Sequence, residues 1–185
     1  MNNKTALIIT DMVNKMDFDG GDDLLRHSLS MVDNLISLKK KVKEKGVPVI
    51  YVNDNFGLWQ DNASELIKEC KKGRGEPVVD AVMPEEDDYF IIKPKHSGFY
   101  GTQLDILLKH LKVENLILTG VAGDICVLFT ANDAYMREYN LWVPKDCVAS
   151  EKIDDNDNAL QIIERSLFAN TRESTNTSIE EAFLS

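Results

Sequence analysis

Positive charge is in short supply along this chain of 185 residues: 21 Lys and Arg stand against 31 Asp and Glu, a formal net charge of −10. Nucleic acids and anionic membrane surfaces present phosphates that select for a basic face, so non-specific binding to either is excluded as an expectation. Long apolar runs are absent too, with nothing near the roughly 18 consecutive residues that a spanning helix needs. The opening stretch to Asp11 has no signal-peptide core. Only three cysteines occur, Cys70, Cys126 and Cys147, scattered and odd in number, which excludes a disulfide scaffold and fits a reducing cytoplasm. Three histidines, His27, His96 and His110, leave few imidazoles for a metal site. What is there is 43% hydrophobic and 28% charged, the balance of a soluble globular domain, and the length suits one domain over residues 1–185.

Short apolar runs alternate with helical patterns. Ala6 to Thr10, Val47 to Val52, Tyr89 to Ile92, Leu116 to Thr119 and Leu141 to Pro144 read as buried strands, with a further short strand over Phe168 to Asn170. Between them, Leu25, Leu29, Val32 and Ile36 mark one face of a helix that begins near Asp22. The lysines from Lys39 to Lys45 read as the solvated end of that helix, where cations suit the dipole. Further helices are expected over Ser64 to Cys70, around Leu104, Leu107, Leu108 and Leu111, from Val127 to Tyr135, and over Leu160 to Leu167. Strictly alternating elements call for a parallel sheet covered on both faces, a three-layer α/β/α sandwich.

In such a sheet ligands bind beyond the carboxyl ends of the strands. Asp11, Lys93 and Cys126 lie at or just past three of those ends. A carboxylate, an ammonium and a thiol form a sensible nucleophilic set, with Asp124 placed to cap the helix carrying the thiol and the helix dipole favouring the thiolate. Each has a plainer reading as well: an inert buried thiol, a turn-forming aspartate, a surface lysine. Phe56, Trp59 and Phe99 read either as the aromatic wall of a substrate pocket or as packing under the same loops.

Three blocks carry a resemblance: Ala6 to Asn14, Ile92 to Leu104, and above all Leu118 to Val127, followed by Thr130-Ala131, Asp133-Ala134 and Lys145-Asp146. Over about residues 5 to 150 the chain resembles the isochorismatase-like cysteine hydrolases, which include nicotinamidases and other small-amide hydrolases. The resemblance implies a triad of Asp11 as base, Lys93 as stabiliser of the ion pair and Cys126 as nucleophile. It also implies a cis peptide between Val121 and Ala122 and an oxyanion hole made by the N–H groups of Ala122 and Cys126. The expected activity is hydrolysis of the C–N bond of a small amide through a thioester; the alternatives are a non-catalytic binding or interaction protein on the same fold, or an isochorismatase-type hydrolase. The nicotinamidases place an Asp-x-His metal element after the second strand, where this chain reads Asn53-Asp54-Asn55-Phe56-Gly57. No metal and no cofactor are therefore expected. The resemblance further implies a homo-oligomer, dimer or tetramer, with Ala182-Phe183-Leu184 as a possible contact, acting on a small molecule.

Overall fold

The computed structural model describes residues 4–59 and 62–184. Along the chain run β1 (Thr5–Thr10), α1 (Gly21–Glu44), β2 (Val49–Asp54), α2 (Ala63–Cys70), α3 (Glu76–Ala81), β3 (Tyr89–Lys93), α4 (Leu104–His110), β4 (Asn115–Val121), α5 (Leu128–Tyr135), β5 (Asn140–Trp142), β6 (Val148–Ala149), α6 (Ile153–Leu167) and α7 (Ile179–Ala182). A five-residue π-helical turn, Gly123–Val127, leads into α5. All strand pairs are parallel, in the order β3-β2-β1-β4-β5, and β6 joins β4 further along the edge that β5 leaves. Among the described residues no helix is long and apolar enough to cross a membrane.

The sheet is covered on both faces, as its uninterrupted apolar strands demand. Leu7 and Ile9 of β1 point into one core with Leu35, Leu38 and Val42 of α1 and Val78 and Val79 of α3. Ala6 and Ile8 point into the other with Leu104 and Leu108 of α4, Ala131 and Ala134 of α5, and Ile163 of α6. The buried face of α1 differs from the expected one: Leu24, Met31, Leu35, Leu38 and Val42 turn inward, whereas Leu29 and Ile36 face water. The stripe from Leu24 to Val42 runs nearly the whole helix and removes more apolar surface from water than one ending at Ile36, so it wins. The helix α3 and the strand β6 were not legible as elements, and the strand expected over Phe168 to Asn170 shrinks to one bridge between Asn170 and Trp142. Phe168 is instead the left-handed cap of α6 (φ 53°).

At the chain's C-terminal segment Ala182 is buried and Phe183 packs on this chain's own core, which leaves Leu184 as the exposed member of that trio.

The lysine run is not uniformly solvated either. Lys39 is buried, and its Nζ lies 2.7 Å from Asp88 Oδ2, 3.0 Å from Glu85 and 3.1 Å from the Tyr51 hydroxyl. Lys43 reaches the same loop, 2.6 Å from Asp87 and 3.0 Å from Asp88. These contacts clasp the loop entering β3 onto α1. Because the side chain of Asp88 is itself buried, Asp88→Ala leaves the Lys39 ammonium with little water and a lost partner. It is expected to cost about 3 kcal/mol of stability, and Lys39→Met distinctly less; urea unfolding of the two variants checks the order.

Candidate active site

Residue pairing brings the three candidate groups together. Thr10 on β1 pairs with Gly120 on β4, and Asp54 on β2 pairs with Lys93 on β3, so Asp11 and Lys93 emerge at the same edge as the turn carrying Cys126. Gly120 makes the first pairing possible: its φ is 105°, and a Cβ there would lie 2.1 Å from Thr10 O. Asp11 itself adopts a left-handed backbone (φ 50°), a conformation that aspartate tolerates better than most side chains. Its N–H donates to Val52 O, and its Oδ1 accepts the Asp54 N–H at 2.6 Å.

Lys93 is the hub. Its side chain has no exposed surface, and its Nζ sits 2.9 Å from Asp11 Oδ2, 3.3 Å from Cys126 Sγ, 3.1 Å from Lys95 O and 3.5 Å from Asp54 Oδ2. Burial works against its charge, but Asp11, Cys126 and Asp54 outweigh burial and hold its pKa above the ordinary lysine value. Burial raises the Asp11 carboxyl above the ordinary aspartate range, only partly offset by Lys93. The Cys126 thiol is pushed far above its ordinary value, by burial first and then by the Asp11 charge, with Lys93 pulling the other way. One cause accounts for both rises. That cause is burial, and because the Asp11 charge also opposes the Cys126 thiolate beside the ammonium they share, ionising one disfavours ionising the other and the two titrate as a pair sharing a proton.

This corrects the expectation of a thiolate favoured by a helix N-terminus. The turn at Gly123–Val127 is π-helical, and Asp124 makes no side-chain cap; its backbone N–H donates to Ser150 Oγ instead. The Val121–Ala122 peptide is cis. Ala122 N–H has no hydrogen-bond partner among the described residues.

Neighbouring residues fix the loops. Asn53, buried, exchanges two hydrogen bonds with the backbone of Val13. Thr130 Oγ1 accepts the Gly98 N–H at 2.9 Å, and Ser97 Oγ donates to Asp133. The aromatic candidates separate. Phe99 is buried in the core, stacked on Tyr139 and covered by Arg137. Phe56 stands on an exposed turn after β2. Trp59, 79% exposed, lines a cavity of about 330 Å³ with Asn55, Phe90, Ile92 and Gln103 beside Lys93. Cys126 retains 8% exposure. Phe129, one helical turn beyond it, meets His96 with ring centroids 5.7 Å apart, spanning the elements that carry Cys126 and Lys93. Asp54 and Phe129 were missed by the sequence reading. Asp54 ends a strand just as Asp11 does, which was the available signal.

Among the described residues no group of three or more His, Cys, Asp or Glu side chains is arranged to hold a metal ion.

The Isochorismatase domain family model matches residues 5–175. The chain belongs to the isochorismatase family. An uncharacterized isochorismatase family protein of Bacillus subtilis, YaaI, is 48% identical over 164 residues, 89% of this chain and 91% of YaaI. The ureidoacrylate amidohydrolase RutB of Serratia proteamaculans is 29% identical over 163 residues, 74% of this chain and 66% of RutB. The crystal structure of N-carbamoylsarcosine amidase from Thermoplasma acidophilum superposes with a TM-score of 0.73 at 29% identity, covering 94% of this chain and 98% of that one. Its fold is therefore the α/β sandwich of this family.

The coupled titration has a measurable consequence. Asp11→Asn removes the negative charge that opposes the thiolate but keeps Lys93, so Cys126 is expected to ionise at lower pH than in the wild type. Lys93→Met removes the compensating cation and is expected to move ionisation higher. Ultraviolet thiolate absorbance against pH, after subtraction of the Cys126→Ser trace, reads both; shifts in the opposite senses would refute the shared-proton account.

Proposed function

We propose that this isochorismatase-family hydrolase cleaves the C–N bond of a small amide-type substrate through a thioester on Cys126. The observation that carries the reading is the position of Lys93 Nζ, within 2.9 Å of Asp11 and 3.3 Å of Cys126 at once. Asp11 accepts the Sγ proton, a transfer within the pair that leaves the net charge of the buried site unchanged. Lys93 stays an ammonium and turns its attraction from carboxylate to thiolate. The thiolate attacks the carbonyl carbon, and the oxyanion faces the N–H groups of Ala122 and Cys126. Protonated Asp11 returns its proton to the leaving nitrogen, and ammonia or an amine departs. Water, losing a proton to Asp11, then attacks the thioester; its collapse frees the acid and restores the thiol. Two relatives bearing the names amidohydrolase and amidase support this chemistry over an isochorismatase-type reaction, and the three assembled groups favour it over a passive binding protein.

A panel of small amides, ureides and carbamates, assayed for ammonia or amine release, is expected to yield a substrate. Cys126→Ser, Asp11→Asn and Lys93→Ala should each lower turnover by about three orders of magnitude, and pairing two of them should cost little more than the worst alone. The acid limb of the pH profile should lie above the ordinary carboxylate range, because turnover requires ionised Asp11 and its carboxyl is raised. Iodoacetamide should inactivate by labelling Cys126, with substrate protecting. Wild-type turnover in Cys126→Ser would end the reading.

The protein is also proposed to act in a reducing compartment, consistent with three free, buried thiols, and to self-associate. Support for association comes from a groove of about 770 Å³ bordered by α5, β5 and the C-terminal segment, where Met136, Phe168 and Leu184 stand exposed. A second copy is the occupant that the charges favour. Although the chain carries −10, this groove is bordered by one carboxylate, Glu138, and one guanidinium, Arg172, neither in a salt bridge among the described residues. A two-fold axis pairs each with the other's counterpart. Sedimentation should show a particle larger than 20.9 kDa at micromolar concentration, reverting toward that mass in Phe168→Asp; a wild-type monomer would refute it.

A further inference from the structure

Asp54 is the last residue of β2 and lies in register with Lys93. Its backbone N–H donates to Asp11 Oδ1 at 2.6 Å, while its carboxylate takes the Phe56 N–H on Oδ1 at 2.8 Å and lies 3.5 Å from Lys93 Nζ through Oδ2. Asn55 N–H, next along, donates to Lys93 O. The carboxylate is thus held from both sides. Its side chain is 29% exposed, against 0% for Lys93 and 6% for Asp11, so Asp54 is the charged group of the cluster most open to solvent.

The charges can be counted. Lys93 contributes one positive charge, the Asp11 and Cys126 pair shares one negative charge, and Asp54 adds another. The ammonium has three N–H donors and already faces four acceptors: Asp11, Asp54, Cys126 and Lys95 O. No donor of Lys93 is left over for an anionic group on a substrate. The other nearby charges are Lys95, exposed in the following loop, and Asp124, half-buried two residues before Cys126. Neither forms an ion pair with the cluster among the described residues.

We propose that Asp54 is a specificity residue that selects electrically neutral amides and disfavours anionic ones, because its partly exposed carboxylate adds a negative charge beside the cluster while Lys93 has no donor left to meet a substrate carboxylate. The inference rests on the hydrolase reading only in naming an amide as the ligand. The filter itself is a property of the field at Cys126.

That field can be read without a substrate. The intact protein is alkylated at one pH with neutral iodoacetamide and, separately, with anionic iodoacetate, and the rate at Cys126 is followed by peptide mass spectrometry. Both reagents meet the same thiolate fraction, so their rate ratio isolates the charge term. In the wild type the ratio is expected to favour the neutral reagent by about threefold more than it does for free cysteine, the Coulomb factor of one unit charge at about 6 Å in a water-like medium. Asp54→Asn keeps the N–H to Asp11 and an oxygen for the Phe56 N–H, and should bring the ratio to that of free cysteine. A wild-type ratio equal to free cysteine, an unchanged ratio in a folded Asp54→Asn, or a Cys126 that neither reagent reaches would each overturn the proposal. A selective ratio without turnover on any amide would instead remove the hydrolase reading and leave the filter standing.

Discussion

A lysine ammonium with no exposed surface is the constraint around which this end of the molecule is arranged. Placing an isolated charge in a protein interior costs several kcal/mol even after relaxation, so Lys93 is sustainable only among close acceptors. Asp11 comes from β1, Asp54 from β2, Lys95 O from the loop after β3, and Cys126 from the turn after β4. Four neighbouring elements must therefore end at one level. The register Thr10 to Gly120 and Asp54 to Lys93 sets that level, and Gly120 permits the approach of β4 to the end of β1. The two apolar cores serve the same end by holding β1 and β4 rigid from both faces.

The same constraint decides the protonation of the site. Burial raises both Asp11 and Cys126, and the Asp11 charge raises Cys126 further, so ionising both beside one buried cation is disfavoured. A helix N-terminus contributes at most a few kcal/mol to a neighbouring anion and falls off within a turn, so it cannot override burial and an adjacent carboxylate. On the proposed mechanism, reactivity depends on moving a proton inside the pair, not on a thiol that is already ionised. This separates the cluster from the low-pKa thiols of exposed, electropositive sites.

How much of this was legible in the sequence follows from how far each cause reaches along the chain. Buried runs such as Ala6 to Ile9 and Leu116 to Leu118 announce parallel strands locally, and strand ends announce where polar groups collect, which brought Asp11, Lys93 and Cys126 into view. The burial of Lys39 depends on Glu85 and Asp88, more than forty residues on, and nothing in the lysine run signals it. The buried face of α1 was misjudged because two overlapping apolar series share Val32, and only the core decides between them. Phe99 lies within the motif that carries Lys93, yet its ring packs with Arg137 and Tyr139 in the core. Asp54 was visible as a residue but not as a partner, since its meeting with Lys93 is a matter of register.

The polar atoms at the centre are nearly all engaged with one another, and this bears on how selectivity can arise. Lys93 Nζ is oversubscribed, Asp11 Oδ1 is occupied by the Asp54 N–H, and Cys126 keeps only a small exposed surface. Such a cluster can act on a carbonyl that reaches it, but it has few groups left with which to recognise anything else. Recognition must then come from the segments around it: the turn from Asp54 to Trp59, the loop bearing Lys95 and His96, and Phe129 at the start of α5. These lie on connections whose length and composition can change without disturbing the register beneath them. On the proposed hydrolase reading, the residues just beyond β2, β3 and β4 are then the ones that decide which substrate reaches the thiol, while the sheet beneath them only sets the level at which the cluster meets.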